Sequence, residues 1–384
     1  MNVLHLNSGT ETGGGMYHIL ALLDELKSWT NVTLGVFHDG ELAKAARKRG
    51  IDVHLFQQRS RCDFTVVKKI ERWLAENKID IIHTHGARAN FIVSFLKRRA
   101  NSLWFVTVHS QPEHDFLHRS IAGKIFTYLN VRAIKAADHV VAISERFKQQ
   151  LVQIGVDRKK IHVIYNGIDF SVQPQAIYKR EAFGLSDENF VIMMIARLEP
   201  VKAHETALLA LKMLRNKHPV GGKHMHLVLV GDGSRKKELE QFAKNNGLAD
   251  CTTFLGQRED INELLTICDI TILTSKSESF PLVLLESARA KKPVITTDVG
   301  GVRKLVPGRE FGYIIKIGDF EELAEKIWKM YELKNTGQLQ KMGERFFQYA
   351  SQHFSVEKFA HSVFEIYEAV LKKRSPLSGE YTEV

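Results

Sequence analysis

Cysteine is scarce. The 384 residues hold three, Cys62, Cys251 and Cys268, widely spaced and without a C-x-x-C pair. An odd, scattered set offers no disulfide framework and no zinc-ligand spacing, and it points to a reducing compartment. Long apolar runs are missing as well: none approaches the ~20 residues that a membrane-spanning helix needs. No basic and apolar leader precedes the strand-like Val3-Leu4-His5-Leu6, so the bulk of the chain is expected in the cytoplasm. The sequence has no zinc-finger spacing, no RNP-type aromatic motif and no dense basic tract, and nucleic acid is not expected as a partner. No Asp-x-Asp triplet occurs either, so there is no ready carboxylate set for Mg²⁺ or Mn²⁺.

What is present is the composition of a globular protein, 44% hydrophobic and 26% charged. The length suggests two domains of roughly 150–200 residues. The net charge of +10 is unevenly placed: residues 1–168 carry 24 Lys and Arg against 15 Asp and Glu, while residues 169–384 carry 30 against 29. Such an excess serves solubility, or meets something anionic, such as a phosphate-linked molecule or a membrane surface.

Short β-branched runs alternate with helical-period stretches along the chain. Runs near 3–6, 32–37, 52–56, 79–84, 103–108, 139–143 and 162–165 are followed by a second set near 190–195, 226–230, 252–255, 270–274 and 293–297. In the second half, helical patterns are expected at 203–217, 234–246, 260–267, 282–291 and 319–333. The alternation predicts α/β architecture with two Rossmann-like, doubly wound parallel sheets. The first domain spans 1–168 and the second 187–353, with residues 169–186, which contain Pro174, as the linker. A helix over 354–374 is expected to return to the first domain, and a polar tail over 375–384 to be disordered. In open α/β sheets ligands bind outside the carboxyl ends of the strands, here at two edges facing a central cleft. His109, Arg197, Gly231 and Glu278 each follow such a strand.

The strongest local signal is Ser277-Glu278-Ser279-Phe280-Pro281-Leu282-Val283-Leu284-Leu285-Glu286. Pro281 suits the first position of a helix, where a missing N–H costs nothing. The free N–H groups of that helix start favour an anion or a hydroxyl, and two carboxylates beside it can accept hydrogen bonds from sugar hydroxyls. This stretch resembles the E-x7-E motif of the retaining GT-B glycosyltransferases of family 4. Further motifs follow in that family's order: Gly13-Gly14-Gly15, Asp80-Ile81-Ile82-His83-Thr84-His85, Val106-Thr107-Val108-His109, Val140 to Glu145, Val163 to Asp169, Ala196 to Lys202, and Leu229-Val230-Gly231-Asp232-Gly233.

The resemblance implies a retaining transferase moving a hexose or N-acetylhexosamine from a nucleotide-sugar, UDP-linked rather than GDP-linked, to a glycan, glycolipid or small-molecule acceptor. Arg197 and Lys202 would hold the donor's diphosphate, Glu286 its ribose, and Glu278 the transferred sugar. Ser279, Phe280, Pro281 and Leu282 would contribute at the helix start, and His109 would meet the donor sugar. Gly14 and Gly15 would let the first loop approach the diphosphate or the acceptor, or form a tight turn only. Gly231 would belong to the donor site. With no carboxylate triplet, no metal and no cofactor is expected; the cations and the helix start supply the charge stabilisation. A nucleotide-sugar epimerase and a non-catalytic nucleotide-sugar-binding protein share the architecture, but the E-x7-E match and the intact Arg197/Lys202 and Glu278/Glu286 pairs argue for transfer. Two positions depart from the family pattern: Ala203 stands where glycine is usual, and Arg303-Lys304 follows Gly300-Gly301-Val302 in place of Pro-Glu. In segment 119–137, Lys124, Arg132 and Lys135 share one side of a helix, with Ile125, Phe126, Leu129 and Ala133 on another. With Lys97-Arg98-Arg99 and Arg119 nearby, this predicts salt-sensitive docking of the first domain on an anionic membrane or a phosphate-linked acceptor.

Overall fold

The structure, a computed structural model, describes residues 1–11, 13–60, 63–96, 101–109 and 121–374. Cys62, the cations Lys97, Arg98, Arg99 and Arg119, and the 375–384 tail lie outside the described residues. The chain divides into two units, one formed by Met1–Gly167 with the stretch from Val356, the other by Ile168–Ser355.

The first unit carries β1 (Asn2–Asn7), β2 (Asn31–Val36), β3 (Asp52–Leu55), β4 (Ile81–His85), β5 (Leu103–Val108), β6 (His139–Ala142) and β7 (Ile161–Val163) in one sheet of order β3-β2-β1-β4-β5-β6-β7. All its pairings are parallel. The order reverses at β1, the strand from which the chain winds first one way and then the other, as a doubly wound sheet requires. Asp80, at the head of the Asp80–His85 motif, accepts from the Asn2 amide at 2.7 Å and so fixes β1 against β4. Ser144 caps the helix Glu145–Gln153 by accepting from the Phe147 amide. The helices Gly13–Leu26 and Val356–Arg374 pack together on one face of the sheet, where Leu22, Leu26, Phe359, Val363 and Tyr367 share a core with Leu34 and Phe105.

The second unit carries β8 (Phe190–Ile195), β9 (Met225–Val230), β10 (Thr252–Gly256), β11 (Ile270–Leu273), β12 (Val294–Thr297) and β13 (Gly312–Ile315), again all parallel, in the order β10-β9-β8-β11-β12-β13. Neither β13 nor the helix Gln338–His353 was delimited by the sequence pattern. Residues 169–186 are not a free linker. Tyr178, Phe183 and Leu185 pack on the core around Val191 and Met193. Arg180 donates to Ile267 O and Asn189 O and pairs with Asp269 at 3.1 Å. The aromatic and aliphatic side chains of this polar segment tie it to the second unit.

The helix Ile121–Ala136 does not bury its apolar residues together. Ala133 is buried, but Ile125 and Phe126, expected on the apolar side with it, are 54% and 42% exposed, and Tyr128 is 65% exposed. Among the described residues no helix is long and apolar enough to cross a membrane. Cys251 and Cys268 are buried free thiols.

Candidate active site

In the second unit the polar candidates converge beyond the carboxyl ends of β8, β9 and β11. After β8 the chain runs through Ala196 and Arg197 to a short 3-10 turn, Pro200–Lys202. That segment lies flat against the glycine turn that follows β9. Ala196 donates to Val230 O and Leu198 to Asp232 O, both at 2.9 Å. A Cβ on Gly231 would stand 2.1 Å from Ala196 O, and one on Gly233 would stand 2.6 Å from Leu198 O. The two glycines are therefore needed for this close approach, with Gly231 also at φ +140°. Gly231, expected as a donor contact, packs closely against the Arg197 segment. The Arg197 side chain is exposed and makes no hydrogen bond or ion pair among the described residues.

Lys202 reaches across to the loop after β11. Its Nζ lies 2.5 Å from Glu278 Oε1, with both side chains largely buried. Ser275 Oγ donates to the same oxygen at 2.6 Å, and Thr274 Oγ1 donates to Lys202 O and Ala203 O. Ala203, where the family has glycine, sits at φ 51°, ψ 49°, the left-handed conformation that favours glycine. Gly300 packs on the other side of the loop; its Cβ would strike Glu278 O and Ser279 O at 2.6 and 2.5 Å. The loop holding Glu278 is thus pinned from two directions. Arg303, the other departure from the family pattern, is spent locally on a two-nitrogen grip of Asp298.

The helix itself runs Leu282–Arg289, with Pro281 at the cap in an extended conformation (φ −76°, ψ 98°). Pro281 is one residue earlier than expected, because its ψ is not helical. Leu282 then opens the helix, so its N–H is among those that a helix start leaves without an intrahelical acceptor. Ser279 is half-buried and Phe280 buried, the latter with its ring 5.9 Å from that of Phe354. Glu286, inside the helix, has no side-chain partner among the described residues, and burial pushes its carboxyl above the usual range. An unpaired, desolvated carboxylate is suited to accept hydroxyl hydrogen bonds from a ligand.

In the first unit the glycine triplet is not a loop. Gly13 starts the helix Gly13–Leu26, and Gly13, Gly14 and Gly15 form its first turn. A Cβ on Gly14 would meet nothing within 4 Å among the described residues, whereas one on Gly15 would stand 2.5 Å from Glu11 Oε1. His18, one turn on, bonds through Nδ1 to Asn166 Oδ1 at 2.7 Å, and its buried Nε2 has no partner among the described residues. His109 follows β5, half-buried, its ring edge-on to His18 at 4.4 Å between centroids. Behind it stand His85, His83 and His5, all fully buried. Burial holds every one of these imidazoles neutral: His5 falls to about 3, His18 to about 4, and His83, His85 and His109 well below the ordinary value. His5, His18 and Tyr367 escaped the sequence reading. His5 was findable, since it faces His83 directly in the β1–β4 register; nothing local marks Tyr367.

Among the described residues, two histidine triplets bring ligating nitrogens within 4.8 Å of one another, His5/His83/His85 and His18/His85/His109. Imidazoles suit zinc or copper, whereas Mg²⁺ takes oxygen ligands. The described residues form no comparable carboxylate cluster.

The two helix-flanked parallel sheets are those of the GT-B glycosyltransferases. HepE of Anabaena, solved with UDP, superposes with a TM-score of 0.82 at 25% identity, over 96% of this chain and 100% of that one. Residues 12–172 match the family "Glycosyltransferase Family 4" and residues 175–353 match "Glycosyl transferases group 1"; the chain belongs to the family 4 glycosyltransferases. It is 27% identical to N-acetyl-alpha-D-glucosaminyl L-malate synthase of Bacillus anthracis, over 81% of this chain and 80% of that protein. It is 26% identical to UDP-Gal:alpha-D-GlcNAc-diphosphoundecaprenol alpha-1,3-galactosyltransferase of Escherichia coli, over 71% of each.

Proposed function

We propose that the protein is a metal-independent, retaining glycosyltransferase that moves a hexose or N-acetylhexosamine from a UDP-sugar to a glycan, glycolipid or small-molecule acceptor. The observation that carries this is the Lys202–Glu278 pair beside the free Arg197 and the start of the helix Leu282–Arg289. Two cations and a set of N–H groups suit a diphosphate, and two carboxylates beside them suit sugar hydroxyls. The choice of UDP is supported by HepE, solved also with UDP-glucose, and by the UDP-galactose in the name of the Escherichia coli relative.

Arg197 and Lys202 neutralise the charge that grows on the departing diphosphate, the term that dominates such catalysis. Glu286 receives the ribose hydroxyls, Glu278 the hydroxyls of the transferred sugar, and His109 that same sugar. The bond from the anomeric carbon to the diphosphate breaks as the acceptor oxygen attacks from the same face. The leaving phosphate takes the acceptor's proton, so no protein nucleophile is required and retention follows. Ligand-induced thermal shift with UDP- and GDP-sugars identifies the base, since a bound ligand stabilises by mass action. Transfer should then persist in excess EDTA and give an unchanged anomeric configuration by NMR. Activity lost on chelation and restored by Mg²⁺ would refute the metal-free mechanism.

The exposed Ile125, Phe126 and Tyr128 on the helix that carries Lys124, Arg132 and Lys135 support a second element of the reading. This helix brings the protein to an anionic membrane surface, peripherally and at the cytoplasmic side, where a lipid-linked acceptor would lie.

A further inference from the structure

Six side chains of the first unit form one unbranched hydrogen-bonded chain. His109 Nε2 meets His85 Nδ1 at 3.2 Å, and His85 Nε2 meets His5 Nδ1 at 2.9 Å. His5 Nε2 meets the Tyr367 hydroxyl at 3.5 Å. That hydroxyl also contacts His83 Nδ1, and His83 Nε2 meets Thr107 Oγ1 at 2.7 Å. The chain leaves β5 at His109, crosses β4 and β1, touches the last helix at Tyr367, and returns through β4 to Thr107, two residues from where it began. All its members but His109 are fully buried.

Each imidazole here is neutral, and a neutral imidazole has one N–H and one bare nitrogen. Each ring has both nitrogens committed within the chain, except His109, whose Nδ1 has no partner among the described residues. Three arrangements satisfy every contact. In one, His5 and His83 both donate to the Tyr367 oxygen, which leaves the buried Tyr367 hydroxyl hydrogen without an acceptor among the described residues and Nδ1 of His109 bare. In the other two the protons all point the same way. In one of these, protons run from His109 towards Thr107: His83 donates to Thr107 Oγ1, and Nδ1 of His109 is bare. The Thr107 hydroxyl hydrogen then has no acceptor, since His83 is its only partner among the described residues. In the other, Thr107 donates to His83, His83 to Tyr367, Tyr367 to His5, His5 to His85, and His85 to His109 Nε2. Every buried donor is then used, and Nδ1 of His109 carries the hydrogen. Leaving a buried hydroxyl unpaired is the costlier choice.

The geometry points to His109 presenting an N–H at Nδ1, with Tyr367 and Thr107 as positioning residues that set this tautomer from behind. Resting on the function proposed above, the consequence is that His109 donates a hydrogen bond to an oxygen of the transferred sugar and does not take the acceptor's proton. That proton goes to the leaving phosphate.

Long-range ¹H–¹⁵N correlation on the ¹⁵N-histidine-labelled full chain reads the tautomer directly, with His109 assigned by its loss in His109→Gln. The native protein should show the Nδ1–H form alone. Thr107→Val removes the hydroxyl at equal volume, and Tyr367→Phe cuts the chain in the middle. Both should give a mixture of tautomers, with kcat falling in proportion to the Nδ1–H fraction, while Thr107→Ser should restore the native spectrum and rate. An Nε2–H form in the native protein, or an unchanged His109 spectrum in both folded variants, overturns the inference. Full transfer by His109→Gln would instead remove His109 from the reaction, while the spectra still decide the tautomer.

Discussion

Lys202 Nζ lies 2.5 Å from Glu278 Oε1, so the group assigned to the diphosphate and the group assigned to the sugar hold one another. Ser275 donates to the same carboxylate oxygen, which fixes both side chains in place. Their substitutions should therefore not add. Lys202→Ala is expected to lower kcat/KM by at least ~10²-fold, as loss of one preorganised charge donor does. Glu278→Ala alone should also be deleterious. A double-mutant cycle should return a coupling of about 1 kcal/mol or more, the range for contacting groups. Strict additivity would separate the two roles.

Glu286 should behave differently, because it has no partner to lose. Glu286→Gln should weaken UDP binding about 10-fold, the equivalent of one good hydrogen bond. Glu278→Ala should reduce affinity for the intact UDP-sugar more than affinity for UDP, which it touches only through Lys202. Calorimetry with each ligand distinguishes the two; equal effects on both ligands would contradict the division of labour.

Ala203 offers a stability test at the edge of the site. Its left-handed backbone costs an alanine about 1–2 kcal/mol, while glycine would add about 0.4–1 kcal/mol of unfolded-state entropy. Ala203→Gly should therefore be neutral to stabilising, by up to about 1.6 kcal/mol on these figures. Thermal unfolding measures it, and a clear fall in Tm would show that the strain is relieved elsewhere.

The residues proposed for the donor stand out in the sequence because they are local: Glu278, Pro281 and Glu286 lie within one short stretch, and Arg197 and Lys202 within another. Strands with long, mostly apolar runs, such as β5 and β9, were readable for the same reason. The four-residue β13 and the polar-faced helix Gln338–His353 are defined by what they pack on, which no local period reports. Residues 169–186 read as a linker because their polarity is local, whereas the anchoring of Tyr178 and Arg180 on Asp260 and Asp269 is long-range. The chain of imidazoles behind His109 was hidden for a related reason. It joins side chains from four separate stretches, and its middle member, Tyr367, lies 362 positions from His5.

Those imidazoles should make the first unit sensitive to acid. Each has a folded value below the 6.5 of an exposed histidine, so the unfolded chain binds the proton first. Their stability contribution is complete above pH 6.5 and is lost as pH falls towards about 4 for His18 and about 3 for His5. At pH 5 these two alone should cost about 2 kcal/mol each, at roughly 1.4 kcal/mol per pH unit. Urea unfolding followed by tryptophan fluorescence reports mainly on this unit, which holds Trp29, Trp73 and Trp104 of the four tryptophans. Equal midpoints at pH 7.5 and pH 5 would mean that the cluster opens to water.

Membrane docking through the helix Ile121–Ala136 predicts cosedimentation with anionic vesicles at low salt, weakening at high salt, and none with neutral vesicles. Each surface cation near such a leaflet is worth about 1 kcal/mol. Replacing Ile125 and Tyr128 by serine should lower the salt-resistant part of the binding. A protein that stays in the supernatant with anionic vesicles at low salt has a soluble acceptor instead.

The placement of the helix Val356–Arg374 in the core of the first unit has a consequence for how the chain is made. Phe359, Val363 and Tyr367 fill space between the helix Gly13–Leu26 and the sheet, and they are synthesised only after the whole of Ile168–Ser355. A ribosome has already released all of Ile168–Ser355 before they emerge. The second unit, whose contacts all lie within one continuous stretch, can fold during translation, whereas the first must wait with an uncovered apolar sheet face. The half of the chain that is born first is the half that finishes last, and in that interval it is the part most exposed to aggregation.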